Sequence, residues 1–406
     1  MKKILFLLFI ICFISCEDQP SSKALEKGYY RVILEVQDQQ ELPFVMYVNS
    51  KNSLEILNAE EVVLVDEIIY KNDSVYIQTP VFEGYIVAKI TDKGFEGSFI
   101  KESLDRIVPV KAEKNNQERF PIKKEKISEN LGGIWEVVFS ENSKEGRYIA
   151  KGIFEQNGNQ ITGTFRTTTG DYRYLEGVVD GKTFKLSTFD GAHAFLFTGS
   201  IDGDDISGDF YSGDHWKEPF IGQRNSTYQL PSSNELTFLK EGYNTFEFSF
   251  PDLDGNLVSL EDQRFKNKVV VVQIMGTWCP NCLDESKYFS QFYKDNRDLG
   301  IEFVSLAFEA AKTPEIAIKR IKRLKEKIGV EYPILLGNYG GEEKTLAEDK
   351  LPMLNHVISY PTAVFIDKKG NVRRIHTGFN GPATGQKYLD FKKEFEDFVA
   401  LLLSEK

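Results

Sequence analysis

A strand, a tight turn and a helix that opens on two cysteines leave this chain few folds to choose from. Lys268-Val269-Val270-Val271-Val272-Gln273-Ile274 is an apolar run rich in β-branched residues and reads as a strand. Gly276-Thr277-Trp278-Cys279-Pro280-Asn281-Cys282 follows, and then Tyr288, Phe289, Phe292 and Tyr293 recur at helical spacing. The first thiol therefore falls at a helix N-terminus, where unpaired N–H groups and the macrodipole favour an anion. Such a position lowers a thiol pKa from about 8.5 toward neutrality, which makes thiolate available to attack a disulfide. Pro280 suits the first helical turn, where its missing N–H would have been unpaired anyway. The second thiol, three residues on, shares that helix face and can close a mixed disulfide.

The chain has four Cys in 406 residues, and two of them, Cys12 and Cys16, lie in its N-terminal segment. Processing of that segment would leave Cys279 and Cys282 as the thiols of the folded body. A Cys-x-x-Cys pair also occurs as a zinc half-site, a haem attachment site or a structural disulfide. A zinc site wants a second ligand pair, and His193, His215, His356 and His376 are scattered. Haem attachment wants His directly after the second Cys, where Leu283 stands. A disulfide spanning so few residues constrains little of the unfolded chain. Redox chemistry is the favoured reading, with no metal and no cofactor other than the dithiol itself.

Met1-Lys2-Lys3 and the apolar run from Ile4 to Ile14 have the form of a secretory leader, too short for a membrane span. Ser15-Cys16 and then polar Glu17-Asp18-Gln19-Pro20-Ser21-Ser22 follow. Residues 1–16 resemble a bacterial lipoprotein signal, with Cys16 as the lipid attachment site; Ser15 fits that pattern and Phe13-Ile14 depart from it. An ordinary signal peptide and an uncleaved anchor are the alternatives. Residues 17–27 would then be a tether reaching at most roughly 35 Å from the bilayer. The expected location is the bacterial cell envelope, lipid-anchored and facing the periplasm. The formal net charge of −11 speaks against nucleic acid and against anionic lipid as partners. Lys and Arg interspersed with acids read as a solvated surface.

Residues 28 to about 225 read as all-β, without an amphipathic helix. Tyr29–Val36, Glu61–Val65, Ser74–Gln78 and Gln160–Phe165 are strand-like, and Asn157-Gly158, Asp180-Gly181, Asp190-Gly191 and Asp202-Gly203 mark hairpin turns. The segment 92–99 resembles 203–210, and 75–79 resembles 183–187, so two related modules are expected at 28–114 and 131–226. The second has the layout of a small lipocalin-like up-and-down barrel of roughly eight strands, with Trp135 as a core plug. His193, His215 and Trp216 are candidates for a ligand mouth, or ordinary sheet and turn residues. A small ligand or a protein bound by the β modules is a possible partner.

A linker around Pro231-Ser232-Ser233-Asn234 leads to a different pattern from about Tyr243. Phe248–Asn256 predicts a hairpin, and Ile301–Ala307 a buried strand. Pro314 opens a helix to about Gly329 with Ile316, Ile318, Ile321, Leu324 and Ile328 on its apolar side. Thr362–Asp367 and Val372–Ile375 predict further strands, and Tyr388–Leu403 a last helix. This order predicts a mixed central sheet covered by helices on both faces.

Phe250-Pro251-Asp252-Leu253-Asp254-Gly255, Trp278-Cys279-Pro280-Asn281-Cys282 and Tyr360-Pro361-Thr362, before a strand ending Asp367-Lys368-Lys369-Gly370, carry a definite resemblance. Residues 243–406 resemble the TlpA-like, ResA-type branch of the thioredoxin-fold family, within the superfamily that also holds the peroxiredoxins. The expected whole is an N-terminal all-β antiparallel region, barrel-like and with signs of duplication, followed by a C-terminal α/β thioredoxin-like domain. The resemblance implies Cys279 as nucleophile, Cys282 as resolving thiol and Pro361 as the family's cis-proline. Glu285 matches an acid that this branch carries three residues after the second Cys, which would accept the resolving thiol's proton or raise its pKa. Trp278, Pro280, Tyr360 and Thr362 would form the substrate-docking surface, bordered by His356 and by Gly378-Phe379-Asn380-Gly381. Leu283 and Lys287 stand where the family usually has a basic residue and a proline.

These features predict a membrane-tethered thiol–disulfide oxidoreductase that reduces protein disulfides and draws electrons from an upstream membrane donor. A thiol peroxidase is the second reading, although Gly276 stands where the peroxidatic pattern wants Thr. A ligand-binding envelope lipoprotein with a vestigial redox domain is the third.

Overall fold

The computed structural model describes residues 23–123 and 128–406. Cys12, Cys16 and the expected lipid attachment lie outside the described residues. No helix of the described residues is long and apolar enough to cross a membrane.

The N-terminal module is an antiparallel meander of nine strands. They are β1 (Gly28–Glu35), β2 (Glu41–Ser50), β3 (Ser53–Asn58), β4 (Glu61–Val65), β5 (Glu67–Lys71), β6 (Ser74–Gln78), β7 (Tyr85–Ile90), β8 (Gly94–Lys101) and β9 (Arg106–Lys114). The order is β4-β3-β2-β1-β9-β8-β7-β6-β5. Only Asp66 separates β4 from β5 in sequence, yet they form the two edges, so this sheet curls without closing. Period-two patterning sets its buried face: in β3, Leu54, Ile56 and Asn58 are buried and the residues between them are not.

The second module closes. Strands β10 (Gly133–Phe139), β11 (Tyr148–Asn157), β12 (Gln160–Thr167), β13 (Leu175–Asp180), β14 (Thr183–Phe189), β15 (Ala194–Asp202), β16 (Asp205–Ser212) and β17 (Trp216–Arg224) form an eight-stranded barrel, completed by β10–β17 pairing. Gly158, Gly181 and Gly203 sit at its hairpin turns with φ of 61–62°, a conformation that costs glycine nothing. The interior is filled with rings rather than hollow: Phe197 stacks on Phe210 at 4.7 Å and Phe165 lies 4.7 Å from Phe197. Trp135 is fully buried, donates from Nε1 to Leu131 O at 2.8 Å, and carries the Arg224 guanidinium over its ring. The two resembling sequence segments fall at equivalent places, since β8 and β16 are each the strand before last, and β6 and β14 each the fourth from the end. One module is nevertheless open and the other closed.

The C-terminal unit has a hairpin of β18 (Ser249–Pro251) and β19 (Leu257–Ser259) ahead of β20 (Val269–Met275), α1 (Pro280–Asn296), β21 (Ile301–Glu309) and α2 (Pro314–Ile328). Then come β22 (Ile334–Tyr339), α3 (Thr345–Lys350), β23 (Thr362–Ile366), β24 (Val372–Thr377) and α4 (Gln386–Ser404). The sheet order is β22-β21-β20-β23-β24; β20 pairs parallel with β21 and antiparallel with β23. β22 and α3 are absent from the sequence reading. On α2, Ile321 and Leu324 are buried as expected, but Ile316 is exposed.

The three units pack together. Phe189, Leu196 and Tyr211 of the barrel belong to the core of the first module, where Phe44 stacks on Phe189 at 4.3 Å. Three basic residues of α2 face the first module. Arg323 pairs with Glu67 at 2.7 Å and donates to Thr79 O, Lys327 pairs with Asp66 and Glu67, and Arg320 pairs with Glu83.

Candidate active site

Strand β20, apolar except for Gln273, buries its whole length and delivers the turn 276–278 to the start of α1. Cys279 is the N-cap of that helix, in extended conformation, and Pro280 occupies the first turn. The backbone N–H of Cys282 donates to Cys279 Sγ at 3.2 Å, which places a fixed donor where a thiolate would need one. Cys279 and Cys282 are joined as a disulfide with Cα atoms 5.2 Å apart. Cys279 keeps 7% of its surface exposed while Cys282 is fully buried. An incoming group therefore meets Cys279 first, and Cys282 is reached through it.

The Tyr360-Pro361 bond is cis, and the Tyr360 carbonyl oxygen lies 3.5 Å from Cys279 Sγ. Thr362 Oγ1 donates to Ser359 O at 2.8 Å and so ties that turn. The Trp278 ring meets Tyr360 edge-on at 5.5 Å, and its Nε1 donates to Phe308 O at 3.0 Å. Trp278, Cys279, Pro280, Tyr360, Pro361 and Thr362 are thus brought together. His356 is exposed beside Glu348. Leu283 is buried in the core.

Two carboxylates sit behind this surface. Glu285 is fully buried. Gln273 Nε2 donates to Glu285 Oε2 at 2.9 Å and to Cys282 O at 3.4 Å, and Glu285 Oε1 has no partner among the described residues. Burial pushes the Glu285 carboxyl up to about 8, against a smaller downward pull from Gln273. Gln273 Oε1 is held in turn by Ser286 Oγ and Ser305 Oγ. Glu309, at the end of β21, accepts from Thr277 N–H at 2.8 Å and from Thr277 Oγ1 at 2.5 Å, and burial raises it to about 7. It fixes the residue two before Cys279. Gln273 and Glu309 were missed by the sequence reading; the available signal was a polar residue inside, or at the end of, an otherwise apolar strand.

The barrel reaches this site through its 168–174 loop. Ser359 Oγ donates to Thr169 O at 2.9 Å, Gly170 bridges to Phe379, and Asn281 Nδ2 donates to Asp171 O at 3.4 Å. Gly381 N–H donates to Asp171 Oδ2 at 2.6 Å, and Arg166 Nε donates to Asn380 Oδ1 at 2.9 Å. At Gly378 (φ +77°) a Cβ would collide with the Thr169 backbone, so glycine is what lets the two loops touch. Arg173 is a buried junction of all three units: it pairs with Asp284 on α1, with Glu61 of the first module at 2.6 Å and with Asp190 of the barrel at 3.5 Å. In the Gly378–Gly381 loop, Gly378 N–H donates to Pro361 O at 2.8 Å; the barrel's contribution is absent from the sequence reading.

No group of three or more His, Cys, Asp or Glu suited to a metal occurs among the described residues. What the arrangement provides is a barely exposed sulfur at a helix start, a buried partner sulfur, and a buried carboxyl that binds a proton near neutral pH.

Residues 242–375 match the AhpC/TSA family. Over 151 residues, 37% of this chain and 79% of the relative, the sequence is 29% identical to the thioredoxin-like protein YneN of Bacillus subtilis (strain 168). It is 31% identical over 125 residues, 31% of this chain, to the thiol-disulfide oxidoreductase ResA of Bacillus thuringiensis subsp. konkukian (strain 97-27), and spans 62% of that relative's length. Among solved structures it is similar to a thiol:disulfide interchange protein of the thioredoxin family from Chlorobium tepidum TLS, with 22% identity, 41% of this chain and 99% of that chain covered, and a TM-score of 0.31. The C-terminal domain of this chain is accordingly a thioredoxin-like domain that matches the AhpC/TSA family model over residues 242–375 and is similar to thiol–disulfide oxidoreductases.

Proposed function

We propose that this chain is a disulfide reductase of the bacterial cell envelope, tethered through Cys16 and working by dithiol exchange at Cys279 and Cys282. The carrying observation is the Cys282 N–H aimed at the barely exposed Cys279 Sγ. In the reduced protein the Cys279 thiolate attacks one sulfur of a substrate disulfide. That S–S bond breaks, and the departing thiolate takes a proton. Cys282 then gives up its proton and attacks Cys279 Sγ, which forms the internal disulfide and releases the second substrate thiol. Two electrons pass from the cysteine pair to the substrate, and an upstream dithiol donor restores them. Glu285, three residues beyond Cys282 on α1 and with one unpartnered oxygen, receives the Cys282 proton. Trp278 and Tyr360 shape the docking surface beside Cys279; Thr362, expected to join it, is fully buried and ties the turn from behind through Ser359 O. The names of the ResA relatives support the reaction class.

The test compares the wild-type chain with Cys279→Ser in disulfide reduction driven by a dithiol donor, using 2-hydroxyethyl disulfide. The expected result is turnover by the wild type and loss of roughly a hundredfold or more in the variant. Peroxide consumption without disulfide reduction would favour the peroxidase reading. Lipid tethering is checked by metabolic acyl labelling, which Cys16→Ala should abolish.

A further inference from the structure

The dithiol does not open on free surface. It opens on a cleft of about 870 Å³ walled by all three units. That volume lies within the ordinary range for sites that enclose small molecules. Trp278, Cys279 and Tyr360 form one wall, and Cys282 is not part of it. The barrel mouth forms the second, and here Tyr148, Tyr172 and Glu218 act as a stopper. Tyr148 Oη lies 2.6 Å from Tyr172 Oη and donates to Glu218 Oε1 at 2.7 Å, while Ser140 Oγ donates to Glu218 Oε2 at 2.7 Å. The barrel therefore contributes a lid rather than an interior. Phe99, Lys101 and Arg106 of the first module form the third wall, with Lys101 opposite Arg106 in the β8–β9 register.

Size and charge narrow the occupant. The barrel loop 168–174 lies against Ser359, Asn281 and Phe379, on the surface beside Tyr360-Pro361 that a folded partner would have to approach. The junction at Arg173 holds that loop in place. Apolar faces of Trp278, Phe195 and Phe210 line the cleft. Asp171 and Glu218 are already engaged by hydrogen bonds. Lys101 Nζ is likewise engaged, donating to Ala192 O at 3.1 Å; the charges that remain are of both signs: Arg106 and Lys344 against Glu145, Asp214 and Glu342.

We infer that the cleft is the substrate site and that it selects a low-molecular-weight zwitterionic disulfide, of the amino-acid or short-peptide class, over a disulfide within a folded protein. This inference rests on the disulfide-reductase reading above and names its substrate. The step is balanced: one substrate S–S bond and two protein thiols become two substrate thiols and one protein S–S bond. His193, His215 and Trp216, which also line the cleft, become rim contacts for such a ligand.

The full chain is assayed with a dithiol donor against three probes: oxidised glutathione, uncharged 2-hydroxyethyl disulfide, and insulin. The expected kcat/KM for oxidised glutathione exceeds that for insulin by about tenfold or more. Arg106→Ala should lower the ratio of oxidised glutathione to 2-hydroxyethyl disulfide kcat/KM by about three- to tenfold, chiefly through KM, as loss of one charged contact would. Insulin reduced as well as or better than oxidised glutathione, or an unchanged ratio in Arg106→Ala, would overturn the substrate assignment and leave the reductase reading intact. Failure to reduce any of the three would overturn both.

Discussion

Glu285 shows how much one buried side chain settles. Its neighbours are Gln273 and core, and burial holds its carboxyl up to about 8. A carboxyl raised in the folded state binds more protons folded than unfolded between its ordinary value of 4.5 and about 8. Stability from this group is therefore full below the ordinary value, falls as pH rises through that window, and is lowest above about 8. At 1.36 kcal/mol per pKa unit the gap corresponds to on the order of 5 kcal/mol. Glu285→Gln should flatten the dependence of denaturant midpoint on pH across that window and make the protein more stable than wild type at pH about 8. A variant with unchanged slope would place the proton elsewhere. Single-turnover resolution of the mixed disulfide should slow in the same variant, because its amide accepts no proton. The cysteine pair was legible from local spacing, and Pro361 and Glu285 from family resemblance, which gave no hint of the complete burial of Glu285. Glu309 and Gln273 were not legible, because a carboxylate or amide becomes a support for the site only through what tertiary packing brings against it.

Among the elements, those with strong periodicity or caps were legible. α1 (Pro280–Asn296) was legible because its start is marked by Cys279 and Pro280 and its apolar face by Phe289 and Tyr293. β22 escaped because Tyr332-Pro333-Ile334-Leu335-Leu336-Gly337 is short and bounded by Pro and Gly, which reads equally well as loop. α3 has six residues and no side-chain cap, too little to make a pattern. Gly329 ends α2 at φ 69°, with its N–H donating to Lys325 O. Gly329→Ala should lower unfolding free energy by about 1 kcal/mol, from the left-handed backbone alone. Chemical denaturation measures it, and a neutral substitution would mean the cap is not held in that conformation.

At the scale of the molecule, the arrangement of the three units is the part the sequence could not disclose. Arg173 is 111 residues from Asp284 and 112 from Glu61, and no local pattern links them. Arg173→Ala leaves buried acids without their counter-charge and should cost about 3–5 kcal/mol, read as a lower denaturant midpoint, whereas the loss of an exposed pair such as Lys312–Asp105 should cost less than about 1 kcal/mol. Equal effects would mean that the three-way junction does not hold the units together. Everything the assembled molecule does chemically still depends on ionisation of Cys279 at the floor of the cleft. The most direct test is the alkylation rate of Cys279 against pH in a full chain carrying Cys282→Ser, which keeps the backbone donor. The account predicts a midpoint well below the free-thiol value of about 8.5; a midpoint at or above that value would contradict it.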